Sequence, residues 1–306
     1  MKVFNSIEEA AEKINKAVVT TGSFDGVHIG HKIIIDRLNQ LADEIGGESV
    51  LITFHPHPRK VLYPEQTDLK LINSRQEKIS LLEKTGLKNL IIHPFSIEFS
   101  QTSSYDFIIK YLIGMLNAKT IVIGHNHHFG HNRQGDYSYL YDLSVEHKFT
   151  VEEIPLKDIE NETVSSTKIR KALKEGNIQR ANAYLDHQYI ITGPLSNVSA
   201  LENLNSFKSF DIIIEEKEKL IPPAGIYAAN LMLDKEYMKA MAVVNKNSEE
   251  SGRISIILLY DRLESYVKEA TLLLYKKVKD ADWPDNMAGF EMSFNIAKEE
   301  VEDLIY

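Results

Sequence analysis

The run Gly22-Ser23-Phe24-Asp25-Gly26-Val27-His28-Ile29-Gly30-His31 holds the residues best suited to chemistry in this chain. It follows a short β-type run at 18–21 and opens a helical pattern. A helix N-terminus presents unbonded N–H groups and the positive end of the helix dipole, which suits phosphate. Glycine lets the backbone approach a ligand closely. Two histidines three residues apart can donate to phosphate oxygens. Such a site needs no nucleophile of its own, because positioning and charge stabilisation of a phosphoryl centre suffice. An isolated histidine pair reads as two surface residues beside a capped loop; the strand–HxGH–helix setting reverses that reading.

A second run, Val164-Ser165-Ser166-Thr167-Lys168-Ile169-Arg170, also sits at a helix start. Three hydroxyls and free N–H groups make an anion nest there, and Arg170 adds a fixed fork of donors. Plain capping by Ser165 or Ser166 would use the same residues without a ligand. Two further strings, TFHPHP at 53–58 and GHNHHFGHNRQGD at 124–136, are rich in histidine. His125, His127, His128 and His131 invite a zinc reading, but no second type of ligand stands at the expected spacing, so no resident metal site is expected. His55-Pro56-His57 reads as pocket lining rather than a metal site.

These strings need a scaffold, and residues 1–186 supply an alternating pattern. Ser6 with Glu9 reads as a capping box opening a helix to about residue 16. A second helix opens at Gly30-His31, carries Ile33, Ile34, Leu38 and Leu41 on one face, and closes at Gly46-Gly47. Ser74 with Glu77 and Ser103 with Asp106 open two more, and 136–147 is helical. Strands are expected at 18–21, 50–54, 89–93, 120–123 and 150–154. A loop of about 20 residues after Phe54 is long enough to suggest function. This βαβα order with Val/Ile-rich strands predicts a doubly wound parallel sheet. Ligands bind such sheets beyond the carboxyl ends of the strands. The histidine-rich strings follow Thr21, Phe54 and Ile123, at three such ends.

Residues 165–174 and 178–185 read as two short helices. From Gln188 onward short β-type runs at 189–192, 212–214, 226–233, 240–244, 254–260 and 269–277 are separated by turns, which predicts an antiparallel sandwich or small barrel. The alternation of Ile254, Ile256 and Leu258 with their neighbours implies one buried face. A final amphipathic helix is expected at about 293–304. Two domains follow, 1–186 and 187–306, in keeping with 306 residues.

Composition agrees with that division. The formal charge is −9, from 35 basic and 44 acidic residues. Residues 1–186 hold 22 basic and 24 acidic residues, whereas 187–306 hold 13 and 20. Ten of the eleven histidines precede residue 150. The chemistry therefore belongs to the first part and the acid surplus to the second. An acidic chain is a poor general nucleic-acid binder. The absence of cysteine excludes disulfides, thiolate nucleophiles and Cys-ligated zinc. No apolar stretch approaches the roughly 20 residues of a membrane helix, and residues 1–16 carry no signal-like apolar core, so a cytoplasmic protein is expected.

HxGH and SSTxIR resemble the nucleotidyltransferase superfamily. The longer strings GSFDGVHIGH, TFHPHP, GHNHHFGHNRQGD and VSSTKIR, in that order, resemble the bacterial bifunctional riboflavin kinase/FMN adenylyltransferase (FAD synthetase) family over about residues 15–190. The resemblance implies a nucleotidyltransferase domain followed by a small antiparallel β-barrel with a C-terminal helix. It implies that FMN attacks the α-phosphate of ATP, with Mg²⁺, giving FAD and pyrophosphate. His28, His31 and Arg170 become the candidate catalytic residues. Gly22, Ser23, Phe24, Asp25, Gly30, Gly124, Ser165, Ser166 and Thr167 join them around ATP. Phe54, Pro56, Asn126, Phe129 and Arg133 fall near the flavin. Asn126 stands where the family usually has Asp; it keeps a hydrogen-bond acceptor and loses the charge. A non-catalytic flavin- or nucleotide-binding protein, or the same fold with another acceptor, remains open at this point.

The second domain resembles the family's riboflavin kinase only weakly. Pro223-Ala224-Gly225-Ile226-Tyr227 looks like its P-x-G-V-Y segment. Between Gly193 and Pro222 the chain has no Gly-rich stretch ending in Pro-Thr-Ala-Asn. Ser255 stands where the family's strand carries its glutamate base, and a serine cannot act as that carboxylate. Kinase activity is therefore expected to be lost.

Overall fold

A computed structural model describes residues 1–65, 68–125, 129–130, 135–155, 158–159, 162–196, 209–259, 269–280 and 287–304. Packing divides the chain into two units: Met1–Leu69 with Lys78–Val164, and Lys70–Glu77 with Ser165–Tyr306.

In the first unit β1 (Lys2–Phe4) and α1 (Ile7–Ala11) lead to β2 (Ala17–Thr21), α2 (Ile29–Glu44), β3 (Glu48–His55) and α3 (Pro58–Leu62). Then come α4 (Arg75–Glu83), whose first three residues pack with the other unit, β4 (Asn89–Pro94), α5 (Ile97–Ser100) and α6 (Ser104–Asp106). Helix α6 runs on as a π-helix over Phe107–Met115, followed by β5 (Thr120–Gly124), α7 (Tyr137–His147), β6 (Thr150–Ile154) and the short pair β7 (Asp158–Ile159) and β8 (Glu162–Thr163). Six strands form one parallel sheet in the order β1-β4-β3-β2-β5-β6. The chain leaves β2 towards β3 on one side and returns later to β5 on the other. Strand β2 is therefore the topological switch point, where open α/β sheets bind their ligands.

The expected doubly wound sheet is present, and its strands are buried as parallel strands must be. Val18, Val19, Val50, Leu51, Ile52, Leu90, Ile91 and Val122 are all buried. The inner stripe of α2 differs from the expected one. Ile35, Leu38 and Ala42 are its buried residues. Ile33 and Leu41 are only half-buried, while the tip of Ile34 lies 3.2 Å from where a Cβ on Gly124 would stand. A run of apolar residues longer than the stripe leaves its phase undetermined.

The second unit contains α8 (Ser166–Lys174), α9 (Ile178–Leu185), β9 (Tyr189–Gly193), β10 (Leu195–Ser196), β11 (Ser209–Ile213) and β12 (Gly225–Leu233). It continues with β13 (Glu236–Val244), the one-turn helix α10 (Ser248–Ser251), β14 (Arg253–Leu258), β15 (Ala270–Asp280) and α11 (Met287–Leu304). Its seven strands are ordered β10-β11-β14-β13-β12-β15-β9. Only Pro194 separates β9 from β10, so the two ends of the sheet belong to consecutive stretches of chain. The antiparallel sheet therefore curls towards the expected small barrel; among the described residues its end strands β9 and β10 are not paired with each other. Gly225 permits the bulged contact of β12 with β15, since a Cβ there would stand 2.6 Å from the Lys279 carbonyl.

Two expectations for this unit need correction. The one-turn helix α10 interrupts a region expected to hold strands alone. Strand β14 is buried on both faces: Ile254, Ser255, Ile256 and Ile257 are all buried, and Ile257 joins a cluster covered by Ala297 and Val301 of α11. Among the described residues, no helix is long and apolar enough to cross a membrane.

Candidate active site

The first histidine string lies at the carboxyl end of β2, over the switch point. The Gly22 N–H donates to the Ile52 carbonyl at 3.0 Å, extending the β2–β3 ladder by one bond. The chain then turns sharply. Phe24 (φ 45°), Gly26 (φ 93°) and Val27 (φ 43°) all adopt positive φ. That is costly for a β-branched valine, and such strain is held only where the surroundings enforce it. Here the Ser23 carbonyl accepts from Lys78 Nζ at 2.8 Å and from Thr53 Oγ1 at 3.1 Å. Phe24, Asp25 and Val27 are buried.

The loop delivers His28 as the N-cap of α2. Ser6, Ser96, Ser103 and Asp136 each accept a hydrogen bond from the helix they begin, whereas the His28 side chain makes no such bond. The His28 side chain thus does not cap the positive end of α2. The His28 and His31 rings stack at 3.6 Å and 17°, and Phe24 stacks on His31 at 4.4 Å and 26°. Gly30 makes this possible, since a Cβ there would meet the His28 ring at 3.3 Å.

Burial, reinforced by His28 and by the charge of Lys78, holds His31 well below the ordinary histidine pKa. Its Nδ1 is buried and has no hydrogen-bond partner among the described residues. Near neutral pH His31 is therefore an uncharged ring. It can donate a hydrogen bond but not a full positive charge. From residue type alone, a charged histidine would be counted among the groups relieving repulsion between anions; burial of the ring, with His28 stacked on it, opposes that charge on His31.

The other strings occupy the neighbouring strand ends. Phe54, the last residue but one of β3, meets Phe95 (5.6 Å) and Phe99 (5.8 Å) in an aromatic cluster. Pro56 follows, exposed, through a cis peptide bond. The role of His57 is local, for its Nδ1 accepts from the Arg59 N–H at 3.2 Å and caps α3. Beyond β5, Phe129 and Gly135 exchange two backbone hydrogen bonds of 3.0 Å, closing a loop. Gly135 leaves room for the Phe129 ring, which a Cβ would meet at 2.2 Å. Phe54 and Phe129, both half-buried, pack against the same hydrophobic core. Asn126 and Arg133, with His127, His128 and His131, lie outside the described residues.

In the second unit Ser165 is the N-cap of α8, accepting from the Lys168 N–H at 3.4 Å, with Ser166 and Thr167 in its first turn. Plain capping by Ser165 is thus present. Ile169, Ala172 and Leu173 form the buried stripe of α8, and Arg170 is half-buried. Sequence reasoning misses Lys78 entirely. Its only signal is a place in the first turn of a helix with a capping box, too ordinary to single out.

A doubly wound parallel sheet with a histidine-bearing helix start over its switch point defines the class, an α/β nucleotidyltransferase. The sequence profile of the FAD synthetase family matches residues 10–168, just over half of the chain, and the chain belongs to that family. A Listeria monocytogenes FAD synthetase is 33% identical over 183 residues, covering 59% of this chain and 73% of that one. The Bacillus subtilis bifunctional riboflavin kinase/FMN adenylyltransferase is 27% identical over 299 residues, 96% of this chain and 90% of that one. A solved Streptococcus pneumoniae structure, described as a macrolide-efflux protein, shares the fold over 99% of both chains, with a TM-score of 0.85 and 21% identity.

Proposed function

We propose that this enzyme is an FMN adenylyltransferase that does not phosphorylate riboflavin. A phosphate oxygen of FMN attacks the α-phosphorus of ATP, which enters with Mg²⁺. The new P–O bond forms as the bond from the α-phosphorus to the bridging oxygen breaks, and pyrophosphate leaves. FMN arrives already ionised, so no strong base is required. The observation that carries this reading is the Phe24–His31–His28 stack at the start of α2, over the switch point. Helix N–H groups and two imidazoles supply donors for the triphosphate without introducing a nucleophile that would be adenylylated itself.

In this reading His28, His31 and Arg170 act on the transferring phosphoryl group. Gly22, Ser23, Phe24, Asp25, Gly30 and Gly124 shape the ATP site, and Ser165, Ser166 and Thr167 bind phosphate. Phe54, Pro56 and Phe129, with Asn126 and Arg133, receive the flavin. The half-buried rings of Phe54 and Phe129 support that assignment, because each keeps surface for a flat aromatic ligand. By sequence, residues 1–186 belong to the transferase and 187–306 to the kinase-derived part, although 70–77 and 165–186 pack with the second unit. Both substrates are cytoplasmic metabolites, and the enzyme works there.

The test is the purified full chain with FMN and MgATP, followed by chromatography and a pyrophosphate assay. FAD and pyrophosphate in equal amounts are expected, and His31→Ala should lower the rate by about a hundredfold or more. No FAD from well-folded protein would overturn the reading.

A further inference from the structure

Lys78 lies outside every string singled out in the sequence, yet it reaches the loop that bears the histidines. Its Nζ–H donates to the Ser23 carbonyl at 2.8 Å, beside the Thr53 hydroxyl at 3.1 Å. The Ser23 carbonyl belongs to the peptide that leads into Phe24. Phe24 holds a positive φ of 45° and stacks its ring on His31. An ammonium and a hydroxyl on one carbonyl leave that peptide little freedom to rotate. The helix bearing Lys78 begins on a reciprocal capping box: the Glu77 N–H donates to Ser74 Oγ at 3.1 Å, and the Ser74 N–H to Glu77 Oε2 at 2.9 Å.

We propose that Lys78 is a positioning residue of the nucleotidyl-transfer site: by holding the Ser23 carbonyl it fixes the Ser23–Phe24 peptide and, through Phe24, the plane of the His31 ring. The inference rests on the transferase reading above. It adds a residue from α4, an element that carries none of the candidate site residues. The ammonium also supports the inference electrostatically: its charge, with that of His28, opposes protonation of His31. Lys78 thus holds the loop that places His31 and adds to the burial that keeps the ring neutral.

The experiment compares Lys78→Met, Lys78→Gln and Lys78→Arg in the full chain. Lys78→Met removes donor and charge, Lys78→Gln retains a donor, and Lys78→Arg retains both. Two readouts are taken: kcat and KM for FAD formation, and the His31 titration midpoint from NMR of ¹³C-labelled histidine. Lys78→Met should lower kcat about tenfold or more, with KM for MgATP changing less. The His31 midpoint should rise in Lys78→Met and Lys78→Gln, and Lys78→Arg should restore most of the rate and the low midpoint. Should Lys78→Met fail to fold, Lys78→Leu carries the same test. A kcat within twofold of the parent in the folded donor-less variant, with the His31 midpoint unmoved, would overturn the proposal. A raised midpoint in a protein whose parent makes no FAD would instead overturn the transferase reading and leave standing only the influence of Lys78 on the histidine loop.

Discussion

His31 shows how far packing can change what a residue offers. Two parallel imidazoles at 3.6 Å cannot both be protonated without strong repulsion, and the nearby Lys78 ammonium adds to it. The pair depends on Gly30, whose missing Cβ leaves the His28 ring its place. Gly30→Ala should therefore separate stability from activity. Alanine favours the helix by up to about 1 kcal/mol, while the crowded His28 ring must tilt. The expected result is an unchanged or slightly raised melting temperature with kcat lowered about tenfold, read from thermal melts and FAD formation. Titration makes a second prediction. Burial holds both His31 and His93 below the ordinary value of 6.5. The His93 Nδ1 accepts from the Ile7 N–H at 3.2 Å, a bond that protonation there would break. Glu8, 3.9 Å away, favours the charged form but does not win. Above pH 6.5 these rings are neutral in both folded and unfolded chains, and their contribution to stability is fully present. As pH falls below that value the unfolded chain binds protons that the folded one refuses, so stability declines. Melts between about pH 7.5 and 5 should show this decline, and His31→Gln should make it shallower.

Helix α4 carries the clearest element-scale result. Its capping residue Glu77 is buried and does more than cap. Glu77 Oε2 accepts from Lys219 Nζ at 2.6 Å, and Oε1 accepts from the Thr192 N–H at 2.8 Å. Lys219 is buried too, and completes its set by donating to the Ile72 and Ile190 carbonyls at 2.7 Å each. Its ammonium lies 4.3 Å from the centre of the Tyr189 ring. With every donor of Lys219 used, the pair is a satisfied buried network. Lys219→Met should destabilise the second unit by about 3–5 kcal/mol, because it leaves Glu77 buried and charged without its partner. Urea unfolding of the full chain checks this, and Lys219→Met with Glu77→Met should recover part of the loss. The capping box of α4 was legible from Ser74 and Glu77 alone, as were the five main strands of the parallel sheet, because caps and apolar runs are local signals. The packing of residues 70–77 against 189–192 and 216–220 was not, since it depends on contacts more than a hundred residues apart in sequence. The phase of α2 and the second buried face of β14 escaped for a related reason: Ile and Val in succession satisfy several patterns at once. At the site, the histidines and the glycine loop were readable from type and spacing. The stack, the neutral state of His31 and the reach of Lys78 appear only once the chain is folded.

At the scale of the whole molecule, the question is whether a chain that keeps both folds keeps both reactions. The described strands of the second unit keep a seven-stranded antiparallel order with a covering helix, so the proposed loss of the kinase does not require loss of the fold. The stretch 197–208, where the expected Pro-Thr-Ala-Asn string is missing from the sequence, lies outside the described residues. Ser255 is described, and its setting is informative. It faces Asp211 across the β11–β14 pair, donates to its Oδ1 at 2.7 Å, and both residues are 2% exposed. A hydroxyl satisfies that buried carboxylate; a glutamate in its place would bring a second carboxylate against it with no added cation. Ser255→Glu should accordingly fail to create a riboflavin kinase and should lower stability by about 2 kcal/mol or more. Riboflavin and MgATP incubated with the parent chain should yield no FMN, while the same preparation converts FMN to FAD. FMN from the parent would refute loss of the kinase. FMN from Ser255→Glu alone would mean that the rest of a kinase site survives and that the serine by itself silences it. The charge division points the same way, for residues 187–306 carry 20 acidic against 13 basic residues. A net charge so negative opposes the binding of phosphate esters such as ATP and FMN, in line with the proposed loss of the kinase.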